Sequence, residues 1–164
     1  MGLQLPGELI SLLGMLGYDW PEADEEKLFK MGNSWLGFAG KVGQPVGDAQ
    51  AQAQQVWTGQ QGEGIDAFRK AWSHEDAPAP ALQDAGTAAT IIGVGLMVCA
   101  AIVLVLKINV IIQLIMLAIQ IAQAIATAVA TFGASLLEIP IFKMITSIII
   151  DQLIDLALQA ILNG

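Results

Sequence analysis

Apolar and small side chains return every three or four residues along the first half of the chain, the spacing that gives a helix one apolar face. The first series is formed by Leu28, Met31, Trp35, Phe38, Val42, Val46, Ala49, Ala53 and Val56. A second, shorter series is formed by Ile65, Phe68 and Trp72. Between them stands Trp57-Thr58-Gly59. The pattern predicts a helical hairpin in which Gly59 permits a turn and Trp57 is a large anchor between the two helices.

The segments around this hairpin carry signals for helix ends. Residues 8–16 predict a short amphipathic helix. Asp19, with Glu22 three residues later, is typical of a capping box, so we expect the first hairpin helix to begin near residue 22. The acidic residues that follow lie where the helix dipole favours negative charge. Pro45 lacks a backbone donor and clashes with the preceding turn, so we expect a kink or break there.

The second half of the chain is far more apolar. Residues 85–106 and 108–137 contain no charged side chain, and Lys107 separates them. Within the later stretch, polar residues at helical spacing give one face a mildly polar character; they are Asn109, Gln113, Gln120, Gln123, Thr127 and Thr131. A break at residues 138–140 and an amphipathic helix over residues 141–163 complete the pattern.

These patterns predict an all-α chain, because no alternation typical of a strand is sustained. We expect three parts. Residues 1–73 hold the short helix and the hairpin, residues 74–82 form a polar, proline-bearing linker, and residues 83–164 form a long hydrophobic helical bundle or hairpin.

The apolar region has two interpretations. Residues 85–106 are long and apolar enough to cross a bilayer core, which requires about 20 residues. Lys107 would then lie at a turn between two spans or reach the interface from the end of one, since within one unbroken span it would cost about 2.5–3.5 kcal/mol. Alternatively, these helices form the core of a soluble bundle. The lack of Trp and Tyr after residue 73 favours protein packing, or conditional insertion, over a permanent span.

Composition indicates that something outside the chain covers part of its apolar surface. The sequence is 55% hydrophobic and 13% charged, against roughly 25% charged residues in an ordinary soluble domain. A partner, a membrane or a larger parent protein is therefore expected. The net charge of −8 argues against nucleic-acid binding. The start of the chain lacks the basic segment of a cleavable signal peptide.

The residues for catalysis or metal binding are sparse. With one His and one Cys, the chain offers neither a nucleophile–base pair nor a zinc ligand set. We expect His74 to be a solvated polar residue and Cys99 to be a buried small side chain. We therefore predict a non-enzymatic protein with no cofactor and no metal.

The N-terminal half resembles the WxG-motif helical hairpins of the ESAT-like superfamily, which type VII (ESX) secretion systems of actinobacteria export. More closely, it is similar to the N-terminal domains of large polymorphic toxins, typified by the mycobacterial outer-membrane channel and necrotizing toxin. The residues that carry the resemblance are Leu5-Pro6, the stretch from Gly17 to Trp20-Pro21, Trp35, Trp57-x-Gly59, Phe68 and Trp72.

This resemblance implies a targeting and assembly domain that accompanies a downstream toxin through a type VII channel, to a secreted or cell-envelope location. The implied partner is a helical WxG-type protein, a secretion chaperone or a second copy of the chain. Trp57, Gly59, Trp35, Phe68 and Trp72 would form the partner or secretion motif.

The resemblance also implies a membrane alternative, because the mycobacterial relative is described as pore-forming. Lys107, Asn109, Gln113, Gln120 and Gln123 would then line a polar path or a helix–helix interface in the membrane.

Family substrates often carry a Tyr-x-x-x-Asp/Glu secretion signal after the hairpin. Tyr18 and Glu22 have that spacing but precede the hairpin, which favours a coincidence of helix-start residues.

Overall fold

A computed structural model describes residues 2–163, most of which are helical. The elements are α1 (Gly7–Met15), α2 (Glu25–Gly59), α3 (Glu63–Trp72), α4 (Pro78–Thr127), a 3₁₀ turn (Ala134–Leu137) and α5 (Glu138–Asn163). The described residues contain no strand. The predicted all-α class is confirmed.

The start of α2 differs from the prediction. The helix begins at Glu25, and its cap is Asp24, whose Oδ1 accepts a hydrogen bond from the backbone N–H of Lys27 at 3.0 Å. This hydrogen bond lowers the pKa of the Asp24 carboxyl. The predicted cap at Asp19 is wrong, because the stretch around Trp20 is held outside a helix by a hydrogen bond from Trp20 Nε1 to the carbonyl of Leu3 (3.3 Å).

The structure shows no break in the helix at Pro45, so that part of the prediction is wrong. Helix α2 continues through Pro45 for its full 35 residues. Pro45 itself is exposed, while Val42 and Ala53 on either side of it are buried. Burial of the flanking apolar face outweighs the single backbone hydrogen bond that the proline removes.

Chain reversal after α4 occurs earlier than predicted. Residues 138–140 do not break the structure, since α5 begins at Glu138 and Pro140 lies in its first turn, where a proline is tolerated. The reversal lies between Thr127 and the 3₁₀ turn, where Gly133 takes a φ of 86°. The Ser135 hydroxyl donates to the Ala124 carbonyl at 2.8 Å, which ties this reversal to the end of α4.

The chain packs into two compact units. The hairpin unit runs from Leu28 to Val98, and the terminal unit combines the residues up to Lys27 with those from Cys99 onward. Helix α4 is continuous over 50 residues, or about 75 Å. The predicted linker residues 78–82 lie within its first turns.

Two glycines bring α2 and α4 together in the hairpin unit. A Cβ built on Gly32 would lie 2.8 Å from the carbonyl oxygen of Gly93, and a Cβ on Gly93 would lie 2.9 Å from that of Gly32. Only glycine permits backbones to approach this closely. The Gly32–Gly93 crossing therefore fixes the register of the two helices.

The core of the terminal unit combines the N-terminal segment with α4 and α5. Its buried side chains are Leu5, Leu12, Leu13, Val110, Leu114, Leu117 and Ile150. Residues from the first 13 positions thus contact side chains that lie about a hundred positions later in the chain.

Candidate functional site

Three of the predicted motif residues form one aromatic cluster in the hairpin unit. The ring centroids of Trp57 and Phe68 are 5.9 Å apart, and those of Phe68 and Trp72 are 5.8 Å apart. The indole Nε1 of Trp72 donates to Gln50 Oε1 at 2.8 Å. The cluster joins the last turn of α2 to α3, as expected for tilted aromatic pairs at helical spacing.

This aromatic cluster is open on one side. Phe68 is 37% exposed, and Trp57 and Trp72 are half-buried. A groove of about 530 Å³ adjoins it and is lined by Asp48, Ala49, Gln52, Ala53, Val56, Phe68 and Trp72. The arrangement presents a mostly apolar surface with an amide and a carboxylate at its rim, which is the composition of many protein-binding patches.

The glycine of the predicted motif has a different role from the one expected. Gly59 ends α2 without a positive φ, and a Cβ placed on it would meet no atom within 4 Å. The left-handed turn residue is Gly62, with a φ of 137°, directly before α3. The sequence carried a signal for this in the glycine-rich stretch after the motif, but it did not distinguish Gly62 from its neighbours.

Trp35 lies apart from the aromatic cluster. It pairs edge-to-face with Phe38 at a centroid distance of 6.3 Å, and both rings are exposed on α2. Trp35 therefore does not pack against the other three aromatic side chains, because its helical position places it more than five turns from Trp57, and its assignment to a partner-binding motif stays a prediction.

Lys107, the charged residue within the apolar region, is buried and has protein partners. It lies in the middle of a continuous α4, so a turn between two spans, one of the alternatives for this position, is wrong. Its side chain is 2% exposed, and its Nζ donates to Glu25 Oε2 at 2.8 Å and to the Ala23 carbonyl at 2.6 Å. The Trp20 ring also lies 5.7 Å from Nζ. A protein carboxylate and a carbonyl therefore satisfy the Lys107 ammonium group.

Glu25 completes this buried pair. Burial alone raises the pKa of its carboxyl, but the hydrogen bonds from the Leu3 N–H and from Lys107 outweigh burial, and the pKa lies below its ordinary value. Sequence reasoning placed Glu25 in an acidic helix start and missed its partner. The 82 positions between the two residues left no local signal of the pairing.

The candidate secretion signal is split between two environments. The Tyr18 hydroxyl donates to Asp151 Oδ1 at 2.7 Å and lies 3.1 Å from the Ser147 carbonyl on α5. Burial, and next its contact with Asp151, raises the pKa of Tyr18. Glu22 is exposed. Tyr18 therefore fastens the N-terminal segment to α5, whereas Glu22 faces solvent.

The predicted polar stripe on α4 is only partly buried. Asn109 Nδ2 donates to the Val105 carbonyl of its own helix at 2.9 Å. Gln113 and Gln120 are half-buried, and Gln123 is exposed. Asn109 also borders an apolar groove of about 390 Å³ between α4 and α5.

Large apolar side chains remain exposed on α4 and α5. Both helical segments are long and apolar enough to cross a membrane, and the buried share of their most apolar windows is 22% for α4 and 11% for the segment containing α5. Such exposure marks an interaction surface for protein or lipid, since soluble monomers rarely expose large contiguous apolar patches.

Within residues 2–163, no group of three or more His, Cys, Asp and Glu side chains is placed to hold a metal ion. His74 is exposed and lies 3.6 Å from Asp76. Cys99 is half-buried, and so more accessible than expected.

Comparison with known proteins identifies the family. The model of the WXG100 like domain matches residues 5–148, which is most of the chain. Neither a curated protein nor a solved structure matches. WXG100 proteins are helical, generally non-enzymatic and associated with type VII secretion, and they typically pair with helical partners or form dimers. This chain, with its all-helical architecture and its open aromatic cluster between α2 and α3, therefore belongs to the WXG100-like domain family.

Proposed function

We propose that this chain is a targeting and assembly domain that directs a polymorphic toxin through a type VII secretion system while bound to a helical partner. The observation that supports this most directly is the aromatic cluster of Trp57, Phe68 and Trp72, which remains open to a partner beside the 530 Å³ groove. The partner is a WxG-type helical protein, a secretion chaperone or a second copy of the chain. The product is secreted or retained at the cell envelope.

In this proposal, recognition of the export machinery lies within residues 1–73, and residues 83–164 form the apolar helical region. Residues 74–82 connect the two, and 78–82 of them are the first turns of α4. The toxin activity belongs to a further domain of the same protein. The chain itself takes no cofactor and performs no catalysis.

A substitution of Gly59 can distinguish loss of recognition by the export machinery from loss of folding. Gly59→Ala adds a methyl group in open space, and alanine favours a helix by about 1 kcal/mol relative to glycine. We expect the thermal midpoint to be unchanged or higher, while export into the culture medium falls at least fivefold. The measurement is immunoblotting of cell and medium fractions, with a circular-dichroism melt of the purified variant.

Gly64→Ala is the matched control, because Gly64 is also helical and equally open. It lies outside the motif, so it should export like the parent protein. Normal export of both variants would contradict recognition through the Trp57–Gly59 corner.

Membrane insertion is a second candidate function, supported by the exposure of α4 and α5. The 20 residues from 108 to 127 are uncharged and span about 30 Å, the thickness of a bilayer core. The purified chain, mixed with dye-loaded vesicles, would release the dye if it forms a channel. A protein that stays in the supernatant after high-speed centrifugation without detergent and leaves the dye enclosed would exclude this candidate.

A further inference from the structure

The N-terminal strap, defined as residues 2–24, covers one side of α4 and α5 in the terminal unit. Its side chains Leu5, Leu12 and Leu13 are buried against an apolar seam formed by Val110, Leu114, Leu117 and Ile150. Leu114 and Leu117 are completely buried, so the strap and its neighbours exclude water from this seam.

The ends of the strap are held by polar contacts. Tyr18 donates to Asp151 on α5, and the Ala23 carbonyl accepts from Lys107 on α4. The backbone N–H of Leu3 donates to Glu25, which in turn binds Lys107. The ion pair between Glu25 and Lys107 therefore fastens both ends of the strap at one place.

Lys107 depends on these contacts for its burial. An ammonium group away from water is tolerated only while it is paired and hydrogen-bonded, and removal of one partner leaves an uncompensated buried charge. Its acceptors are the Ala23 carbonyl, at the end of the strap, and the carboxylate of Glu25, which directly follows the strap. Weakening the ion pair therefore favours displacement of the strap.

Displacement of the strap would change what α4 can bind. The opposite face of α4 already exposes Ile108, Ile112, Ile115 and Ile119. Uncovering Val110, Leu114 and Leu117 would join this exposed face to the buried seam, so that apolar side chains surround most of the helix after Lys107 and the stripe of Asn109, Gln113, Gln120 and Gln123 is its polar side. A helix that is apolar over most of its surface is buried in protein or in lipid.

We propose that the strap is a releasable cover, held by the Glu25–Lys107 ion pair, over a surface of α4 that binds an anionic lipid bilayer. We infer the lipid bilayer as the occupant from the length of the uncharged segment after Lys107 and from the charge of Lys107 itself. The uncharged segment 108–127 matches a bilayer core, and a free ammonium at its start would lie at the height of the anionic headgroups. This inference rests on the membrane candidate above.

The experiment compares the full chain with Glu25→Gln and with the double variant Glu25→Gln/Lys107→Met. Hydrogen exchange is followed for α1 in the strap and for residues 103–117 of α4. We expect Glu25→Gln to accelerate exchange in α1 at least tenfold while residues 103–117 keep most of their protection. The double variant should restore the parent's slow exchange, since methionine fills the site without a charge.

Vesicle flotation supplies the second readout. With phosphatidylcholine vesicles containing one quarter phosphatidylglycerol, Glu25→Gln should bind at least fivefold more than the parent or the double variant. If α1 and α4 lose protection together, the strap is not a separate element and the proposal is overturned.

The two possible failures are distinguishable. Selective exchange in α1 without vesicle binding by any variant would overturn lipid as the occupant, together with the membrane candidate. If the parent and Glu25→Gln bind vesicles equally, and Glu25→Gln does not accelerate hydrogen exchange in α1 relative to residues 103–117, the strap is not a releasable cover. The membrane candidate would then still stand.

Discussion

At the scale of single residues, the buried ion pair is the most specific feature of the terminal unit. Glu25 and Lys107 come from the first residue of α2 and the middle of α4, and each satisfies the other in a water-excluded place. Composition predicts that Lys107 is unusual, because it is the single charge between residues 85 and 137. Its partner could not be predicted, since pairing over this separation is decided by how the helices pack.

The Glu25 carboxyl predicts the pH dependence of stability. Its pKa lies below the ordinary value of 4.5, so the unfolded chain binds the proton more readily than the folded one. The contribution of Glu25 is therefore fully present above pH 4.5 and is lost as the pH falls through the lower folded-state pKa. We expect the difference in thermal midpoint between the parent and Glu25→Gln to be constant from pH 5.5 to 7.5 and to shrink below about pH 4.

Melting curves at intervals of half a pH unit would check this expectation. A difference that stays constant or grows as the pH falls from 5 to 3 would show that the folded-state pKa of the Glu25 carboxyl is not below its ordinary value. The hydrogen bonds from Leu3 and Lys107 would then not outweigh burial, contrary to the structure.

At the scale of helices, local signals predicted where helices exist better than where they end. The hairpin helices and the short helix after Pro6 agree with the periodicity of the sequence. Pro45 and residues 138–140 carry strong breaker signals, yet α2 and α5 include them. A breaker acts on one or two hydrogen bonds, whereas the packing of a long apolar face acts on the whole helix.

The Gly32–Gly93 crossing gives a prediction at this scale. Gly32→Ala should destabilise the hairpin unit by about 1–3 kcal/mol, because the new Cβ overlaps the Gly93 carbonyl and α4 must move away. Gly37→Ala, on the same helix with open space around it, should instead stabilise by about 0.5–1 kcal/mol. Urea unfolding followed by circular dichroism measures both. Stabilisation by both alanines would mean that the helices do not approach as closely as described.

The turn before α3 gives another prediction. Gly62 has a φ of 137° and a ψ of 163°, a region that only glycine occupies readily. Gly62→Ala should therefore cost about 1–3 kcal/mol. Gly59→Ala, in the helical region, is the comparison. If Gly59→Ala lowered the free energy of unfolding and Gly62→Ala did not, the strained turn residue would be Gly59 at the end of α2 and not Gly62 before α3.

At the scale of the whole molecule, each unit exposes an apolar helix face of its own. In the hairpin unit this face includes Ile91 and Val94, and in the terminal unit it includes Ile115 and Ile119. The family accounts for a helical partner, and the apolar length of α4 fits a bilayer. Sequence composition already indicated that some apolar surface must be covered, but only the folded chain divides that surface between two units.

Paired acidic substitutions test which apolar face of α4 contacts the bilayer. Ile91→Glu/Val94→Glu and Ile115→Glu/Ile119→Glu carry the same added charge, and each changes only exposed positions, so both proteins should remain helical. A carboxylate placed in a bilayer core costs about 3 kcal/mol on insertion scales. We therefore expect the second pair to reduce vesicle binding at least tenfold and to leave the mass of the partner complex, measured by light scattering, unchanged. The first pair should leave vesicle binding unchanged, and equal effects of both pairs on vesicle binding would mean that added charge alone, and not the face of α4, controls contact with lipid.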